Sequence, residues 1–132
     1  MSILLLDTDV VSFIIKGHSL SAKYAPILQG NQLALSFMTV AELFQWAAMR
    51  NWGKERVASL ERSLTNYLII PVDVELCRIW GNLRAERQGI GRVIAPQDAW
   101  IASTALRHNL PLVTNNAKDF QDIPQLETLT VN

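Results

Sequence analysis

The chain has 132 residues, of which 49% are hydrophobic and 18% charged, and its formal net charge is zero. This composition is typical of a compact globular protein and excludes a disordered chain. Net neutrality gives no general preference for nucleic acid, although local charge can still matter. The single cysteine, Cys77, excludes an internal disulfide framework, indicates a reducing compartment and is expected in the core.

No apolar stretch approaches the length of a membrane span, and the apolar run at residues 3–6 is too short for a signal peptide. No repeat, low-complexity tract or long linker divides the chain. We therefore expect a soluble, cytoplasmic protein made of a single domain over residues 1–132.

Short apolar segments alternate with segments of helical periodicity along the chain. Strands are predicted at residues 3–6, 33–36, 67–71, 112–114 and 129–131. Helices are predicted at residues 10–16, 19–28, 39–50, 54–66, 74–88 and 96–108, with one helical turn at 117–120. This alternation predicts a three-layer α/β/α sandwich with a mostly parallel sheet.

The first strand ends in a carboxylate, in the stretch Ile3-Leu4-Leu5-Leu6-Asp7-Thr8-Asp9. Ligands of open α/β sheets bind beyond the carboxyl ends of the strands, so Asp7 is expected at the edge of a site. Asp9 precedes an apolar helical segment and is interpreted as the N-cap of that helix.

Asp98 lies in the first turn of the sixth predicted helix. Ile101, Ala102, Ala105 and Leu106 follow it at helical spacing, so its carboxylate heads the apolar face and points towards the sheet. An acid that only complements the helix dipole explains a position in the first turn but not one on the buried face. Asp98 is therefore interpreted as a functional residue.

Glu42, Asn116 and Asp119 each allow two interpretations. Glu42 closes the sequence Thr39-Val40-Ala41-Glu42, which has the spacing of a capping box, and it either belongs to that box or to the site. Asn116 and Asp119 follow the fourth strand, and Asp119 is either a site residue or a surface acid in a short turn.

Three acids, Asp7, Glu42 and Asp98, come from separate segments that meet at one edge of the sheet, and none has an obvious basic partner beside it in sequence. Clustered carboxylates repel one another unless a cation joins them, and hard oxygen ligands suit Mg²⁺, with Mn²⁺ as a substitute. Zinc is not expected, because one cysteine and the two scattered histidines His18 and His108 have no ligand spacing. A carboxylate-bound Mg²⁺ is suited to phosphodiester chemistry.

Four segments carry a family resemblance: Leu6-Asp7-Thr8-Asp9, Thr39-Val40-Ala41-Glu42-Leu43, Pro96-Gln97-Asp98-Ala99-Trp100-Ile101-Ala102, and residues 113–120. In this order and spacing they resemble the PIN domain, and more narrowly the VapC ribonuclease toxins of bacterial type II toxin–antitoxin systems. The resemblance covers essentially the whole chain.

The resemblance implies a five-stranded parallel sheet in the order 3-2-1-4-5, Mg²⁺-dependent RNA cleavage and inhibition by a VapB-type antitoxin. It implies that Asp7, Glu42 and Asp98 bind the metal. Many PIN domains have a fourth acid just after the fourth strand, where this chain has Asn116, with Asp119 three residues further on. Either residue is a candidate for that position. Some relatives with this Asn-Asn pattern act on initiator tRNA, so a tRNA substrate is implied.

A basic flank accompanies the acids. Five arginines lie between residues 78 and 107: Arg78, Arg84, Arg87, Arg92 and Arg107. A phosphate backbone requires such a flank beside an acidic metal site, although arginines also occur on any solvated helix face. Arg92, in a glycine-flanked loop, and Arg84 are predicted to contact RNA.

Four tryptophans suggest contacts with partners. Trp46 and Trp52 lie among more large apolar residues than one inward helical face can use, and this region is predicted to bind the antitoxin. Trp80 and Trp100 are expected in the core or at a dimer face, and a homodimer is predicted.

Two alternatives remain open. Leu6-Asp7-Thr8-Asp9 also loosely matches the first motif of haloacid-dehalogenase-type phosphatases, in which Asp7 would be the nucleophile. That reading needs a later lysine and a further acid pair, for which Lys118 with Asp119 and Asp122 is a poor substitute. The second alternative is a catalytically silent PIN fold that only binds a partner.

Overall fold

A computed structural model describes residues 2–132, in which five strands form one sheet. The strands are β1 (Ile3–Leu6), β2 (Gln32–Ser36), β3 (Leu68–Ile70), β4 (Leu112–Val113) and β5 (Thr128–Leu129). They are ordered β3-β2-β1-β4-β5, and all four pairings are parallel. The predicted fold class and strand order are confirmed.

Helices connect the strands. Within residues 2–132 they are α1 (Thr8–Lys16), α2 (Leu20–Leu28), α3 (Phe37–Met49), α4 (Lys54–Leu64), α5 (Val74–Gly89) and α6 (Pro96–His108), with a 3₁₀ turn at Ala117–Phe120. Pro96 begins α6 and Asp73 caps α5, as the sequence predicts. None of these helices has the length and apolar character needed to cross a membrane.

The sheet is covered on both faces, which explains the unbroken apolar sequence of β1. Leu5 packs in a core with residues of α5 and α6, including Leu83 and Ile101. Its neighbours Leu4 and Leu6 belong to a second core with residues of α1 to α4. Successive strand residues point to opposite faces, so a strand buried on both sides needs apolar residues at every position.

Two helix starts differ from the sequence predictions. Asp7, not Asp9, is the N-cap of α1, because its Oδ1 accepts from the Thr8 amide at 2.8 Å. Ser36, the last residue of β2, caps α3 through the Met38 amide at 3.1 Å. The chain passes from strand directly into helix at both places, so each cap lies earlier than hydrophobic periodicity suggests.

Two smaller expectations are also corrected. Cys77 is exposed rather than in the core, because it lies on the solvent side of α5. β5 ends at Leu129, two residues earlier than predicted, and pairs with β4 through Thr128 and Leu129. A two-residue edge strand gives too short a pattern for its limits to be read from sequence.

Candidate active site

The predicted acids meet at the carboxyl edge of the sheet. Asp7 follows β1 directly, and Glu42 lies in the second turn of α3, which follows β2. Asp98 comes from the first turn of α6, and Asp119 from the 3₁₀ turn after β4. The charges of Asp7, Glu42 and Asp119 all raise the pKa of Asp98, so the four carboxylates lie close enough to repel one another. We call these four residues the acid cluster.

Asp7 is the most buried member of the acid cluster, with 6% of its surface exposed. Its Oδ1 accepts from the Thr8 amide at 2.8 Å, and its Oδ2 accepts from the Thr114 hydroxyl at 2.7 Å. Burial raises the pKa of Asp7, while these two hydrogen bonds oppose that rise. Hydrogen bonds from Thr8, after β1, and from Thr114, after β4, therefore fix the orientation of the Asp7 carboxylate.

Glu42 is held by hydroxyl groups rather than by a capping box. The Thr8 hydroxyl donates to Glu42 Oε1 at 2.9 Å and lies 2.9 Å from the Thr39 hydroxyl. Because Thr39 lies inside α3, it cannot be the cap of that helix, and the capping-box interpretation is wrong. Burial and the charge of Asp7 raise the pKa of Glu42, while the hydrogen bond from Thr8 opposes that rise.

Asp98 differs from Asp7 and Glu42 in having no fixed partner. Within residues 2–132 its carboxylate accepts no hydrogen bond. Burial is the largest cause that raises the pKa of Asp98 to about 6, followed by the charges of Asp7, Asp119 and Glu42. A half-buried acid with three acidic neighbours and no donor is unusual unless something else binds it.

Asp9 is a further acid of this edge that the sequence analysis treated only as a cap. Its Oδ2 accepts from the side-chain amide of Asn116 at 2.8 Å and from the Asn115 amide at 3.2 Å. Burial and then the charge of Asp7 raise the pKa of Asp9 to about 7. Asp9 therefore ties α1 to the segment after β4.

The same contact separates the two candidates for the fourth position. The Asn116 amide nitrogen is committed to Asp9, and its backbone N–H donates to the Thr114 hydroxyl at 3.0 Å. Asp119 is exposed, and its charge raises the pKa of both Asp7 and Asp98. Of the two, Asp119 is the residue whose charge acts on Asp7 and Asp98.

The hydroxyl groups that hold these acids were not predicted from the sequence. Thr8, Thr39 and Thr114 are buried, and each bonds to an acid of the cluster or to another threonine that does. The available signal was a threonine directly after Asp7 and another at the end of the fourth predicted strand. A hydroxyl at a strand end is too common for that signal to be specific.

The two arginines predicted to bind RNA have protein partners. Arg92 forms an ion pair with Asp122. The Arg84 guanidinium lies over the Trp80 ring, 5.4 Å from its centroid. Trp80 in turn stacks on Trp100 with 4.6 Å between ring centroids. A contact of either arginine with RNA stays a prediction.

The donor set fits a hard cation by its chemistry. Within residues 2–132, no three His, Cys, Asp or Glu side chains already enclose a metal position. However, Asp7, Glu42 and Asp98 supply only oxygen ligands, and no lysine or arginine of the described chain forms an ion pair with them. Burial and then mutual repulsion raise the pKa values of these three acids, and a bound divalent cation would offset both effects by stabilising their charged forms.

Comparisons with known proteins agree with this geometry. The family model of the PIN domain matches residues 4–126, and the chain therefore belongs to the PIN domain family. It is 34% identical over 127 residues to the ribonuclease VapC2 of Rickettsia felis, with 94% of each chain covered. It is 28% identical over 124 residues to the tRNA(fMet)-specific endonuclease VapC of Shigella flexneri, again with 94% of each chain covered.

A solved structure of a VapBC complex has the same fold as this chain. The chain matches a structure of VapBC2 from Rickettsia felis bound to a DNA fragment from their promoter, with a TM-score of 0.85 and 29% identity. The match covers 100% of both chains. Together these relatives confirm the prediction of a VapC-type PIN-domain ribonuclease.

Proposed function

We propose that this chain is a Mg²⁺-dependent endoribonuclease toxin of a VapBC-type system, in which Asp7, Glu42 and Asp98 hold the metal. The observation that carries the proposal is the acid cluster itself. Its members come from separate elements and have no ion-paired base within residues 2–132. Burial and then the charges of neighbouring acids raise the pKa values of Asp7, Glu42 and Asp98. Proteins retain such repulsion where function needs it.

The three metal-binding acids have two tasks in the proposed reaction. A bound Mg²⁺ would supply a water of lowered pKa and neutralise charge on the scissile phosphate, and Mn²⁺ would substitute for it. Asp7 and Glu42 are fixed by Thr8 and Thr114, so they give the site its shape. Asp98 accepts no hydrogen bond within residues 2–132, so its carboxylate would be able to turn towards the metal.

We assign Asp119 the task of orienting the attacking water, because it is exposed and acts electrostatically on Asp7 and Asp98. Asn116 positions the neighbouring Asp9 instead. The attacking water gives up a proton to solvent as its oxygen bonds to phosphorus. The bond from phosphorus to the 3′ oxygen breaks and that oxygen takes up a proton, so the products carry a 5′-phosphate and a 3′-hydroxyl.

The proposed substrate is tRNA, with initiator tRNA as the first candidate. The support for it is the name of the Shigella flexneri relative, a tRNA(fMet)-specific endonuclease with 28% identity. The predicted cytoplasmic location agrees with such a substrate.

The test is cleavage of purified initiator tRNA, elongator tRNA and ribosomal RNA by the purified chain. We expect cleavage with Mg²⁺ or Mn²⁺ and none in excess EDTA, with 5′-phosphate ends on the products. The Asp98→Asn variant, purified in parallel, controls for contaminating nucleases. Products that end in 2′,3′-cyclic phosphate, or full activity in EDTA, would contradict the proposal.

The two alternatives are less well supported. In the phosphatase reading Asp7 must attack as a nucleophile, but both of its oxygens accept hydrogen bonds and the relatives are ribonucleases. A generic phosphomonoester in the same assay tests this reading. A silent binding protein would cleave neither substrate.

We also propose that a VapB-type antitoxin binds the surface formed by Phe44, Trp46, Met49 and Trp52, which we call the tryptophan face. Met49 is 71% exposed and Phe44 37% exposed, whereas the two indoles are half-buried against the core. Half-buried aromatic rings beside exposed apolar side chains suit the apolar face of a partner helix.

Cations surround the tryptophan face. Lys16 and Arg50 lie over the Trp46 ring, 5.7 and 5.5 Å from its centroid. Arg56 lies 4.0 Å from the centroid of Trp52. A partner helix with acidic residues beside its apolar face would match this rim.

Replacement of one exposed side chain tests the antitoxin surface. We expect Met49→Glu to abolish co-purification with the protein encoded by a short neighbouring reading frame. Val93→Glu is the matched control, because Val93 is 74% exposed but lies in the loop before α6. The absence of any such reading frame would contradict the proposal.

Light scattering on the purified chain tests the predicted homodimer.

A further inference from the structure

A polar cavity borders the acid cluster and has no task in the reaction described above. Its volume is about 290 Å³, and it lies between the loop before α6 and the 3₁₀ turn after β4. Three cations, Arg87, Arg92 and Lys118, and two acids, Asp119 and Asp122, line it. Asp119 belongs to both the cavity and the acid cluster, so the two sites are neighbours. We call this cavity the arginine cavity.

Arg87 is the unusual residue of the arginine cavity, because only 7% of its surface is exposed. Its Nε donates to the Arg92 carbonyl at 3.2 Å and its Nη1 to the Asp122 carbonyl at 3.5 Å. Both acceptors are neutral. Within residues 2–132 no carboxylate forms an ion pair with Arg87. A buried guanidinium without a counter-charge is costly, and an anion in the cavity would relieve that cost.

The backbone brings Arg92 to the cavity, and Lys118 reaches it from the 3₁₀ turn. The Arg92 amide donates to the Arg87 carbonyl at 2.9 Å, and Gly91 adopts a left-handed conformation with φ of 74°. This turn folds the loop back over the end of α5 and brings Arg92 to the cavity. Lys118 is exposed and has no ion-pair partner in the described part of the chain.

Asp122 occupies part of the arginine cavity. Its carboxylate forms the ion pair with Arg92, and both side chains of that pair are more than half exposed, at 55% for Arg92 and 58% for Asp122. Exposed ion pairs of this kind contribute little to stability, because water screens the two charges. A phosphate, which accepts paired hydrogen bonds from arginine, can therefore displace the Asp122 carboxylate from Arg92.

We propose that the arginine cavity binds a phosphate of the RNA substrate other than the one that is cleaved. The assignment to RNA rests on the proposed function, whereas the preference for an anion rests on the buried Arg87 together with Arg92 and Lys118. A second phosphate held beside Asp119 fixes the register of the strand, so that one particular phosphate reaches the acid cluster.

Binding to RNA without metal tests the proposal separately from cleavage. The probe is a fluorescently labelled single-stranded oligouridylate of about ten nucleotides, which is long enough to span such a site. Its anisotropy is measured in EDTA over a series of salt concentrations. The variants are Lys118→Gln and Arg92→Gln, and the control is Arg78→Gln, which removes an exposed arginine of the same helix as Arg87.

We expect Lys118→Gln and Arg92→Gln each to weaken binding several-fold. Each should also reduce the slope of log K against log salt concentration by about 0.7, which is the loss of one phosphate contact on a single strand. Asp122→Asn should strengthen binding, because it releases Arg92. Arg78→Gln should leave the slope unchanged.

The outcomes separate the two proposals. If Lys118→Gln and Arg92→Gln have the same salt slope as Arg78→Gln, the arginine cavity does not bind a phosphate, whether or not the wild type cleaves RNA. If the slopes fall as expected but the wild type cleaves no RNA, phosphate binding in the arginine cavity is supported and the proposed cleavage reaction is wrong. Circular dichroism melts of each variant verify that the comparison is between folded proteins.

Discussion

Two aspartates at the start of neighbouring helices, Asp73 and Asp98, have pKa values shifted in opposite directions. Asp73 caps α5, and its carboxylate accepts from the Leu76 amide at 2.7 Å and from Arg107 Nη2 at 3.1 Å. These bonds lower the pKa of Asp73. Asp98 lies in the first turn of α6, where burial and acidic neighbours raise its pKa to about 6.

The difference lies in the partners and not in the helix position. Both acids are near a helix N-terminus, where the dipole favours a negative charge. Asp73 also has hydrogen-bond donors and a cation, and it stabilises the fold. Asp98 has three acids and no donor within residues 2–132, so its charge opposes folding until a cation binds. An acid that costs stability is a better candidate for function than one that adds to it.

The largest expected effect is on cleavage. We predict that Asp98→Asn lowers the rate of RNA cleavage by about 100-fold or more, because loss of a metal ligand should cost at least as much as loss of its supporting residues. Asp73→Asn should cleave at the wild-type rate. Initial rates on the same tRNA at saturating Mg²⁺ measure both. Equal losses in the two variants would mean that the acids do not differ in function.

A smaller loss is expected from the hydroxyl that supports Glu42. We predict that Thr8→Val slows cleavage by about 10-fold, because Glu42 loses the donor that orients it. Thr39→Val is the matched control, since it removes a buried hydroxyl but leaves the bond from Thr8 to Glu42 in place. The rates of the two variants are compared at several Mg²⁺ concentrations. A larger defect in Thr39→Val would contradict the assigned role of Thr8.

The two aspartates should change stability in opposite directions. Without metal, Asp98→Asn should raise the free energy of unfolding at pH 7 by about 1 kcal/mol after allowance for solvent screening, or about 4 °C in Tm. Asp73→Ala should lower the Tm, because α5 loses its cap. Saturating Mg²⁺ should stabilise the wild type more than Asp98→Asn. A lower Tm for metal-free Asp98→Asn would show that Asp98 is a structural residue.

The smallest effect is the pH dependence of that stability difference. The pKa of Asp98 is about 6 in the folded chain, above the ordinary value of 3.8, so the folded state binds this proton more tightly. The destabilisation is therefore complete above about pH 6, fades as the pH falls and is absent below 3.8.

The gain in Tm of Asp98→Asn over the wild type should accordingly shrink between pH 7 and pH 4 in metal-free buffer. The contribution of Asp73 has the opposite sign, because its pKa is lowered, and it is lost as the pH falls below the ordinary value. Melts of Asp98→Asn from pH 7 to pH 4, and of Asp73→Ala continued to pH values below 3.8, measure the two trends. A gain for Asp98→Asn that does not depend on pH would rule out charge repulsion as its cause.

Local patterns in the sequence determined most of the fold. The continuous apolar run of β1, the proline that begins α6 and the Asp73 cap predict elements that the structure contains. The order of the strands came from the resemblance to PIN domains and is confirmed. The convergence of Asp7 and Asp98 followed from a rule about strand ends and from helical spacing, both of which depend on neighbouring residues alone.

Only the tertiary structure decided which groups touch across the sheet edge. Asp9 meets Asn116 across 107 residues of sequence, and the Thr8 hydroxyl meets Glu42 across 34. Arg87 is one of five similar arginines in the sequence, yet it alone among them is buried, where two loops fold over the end of α5. Such contacts depend on how whole elements pack, because a side chain's periodic position gives its face but not the residue that it meets there.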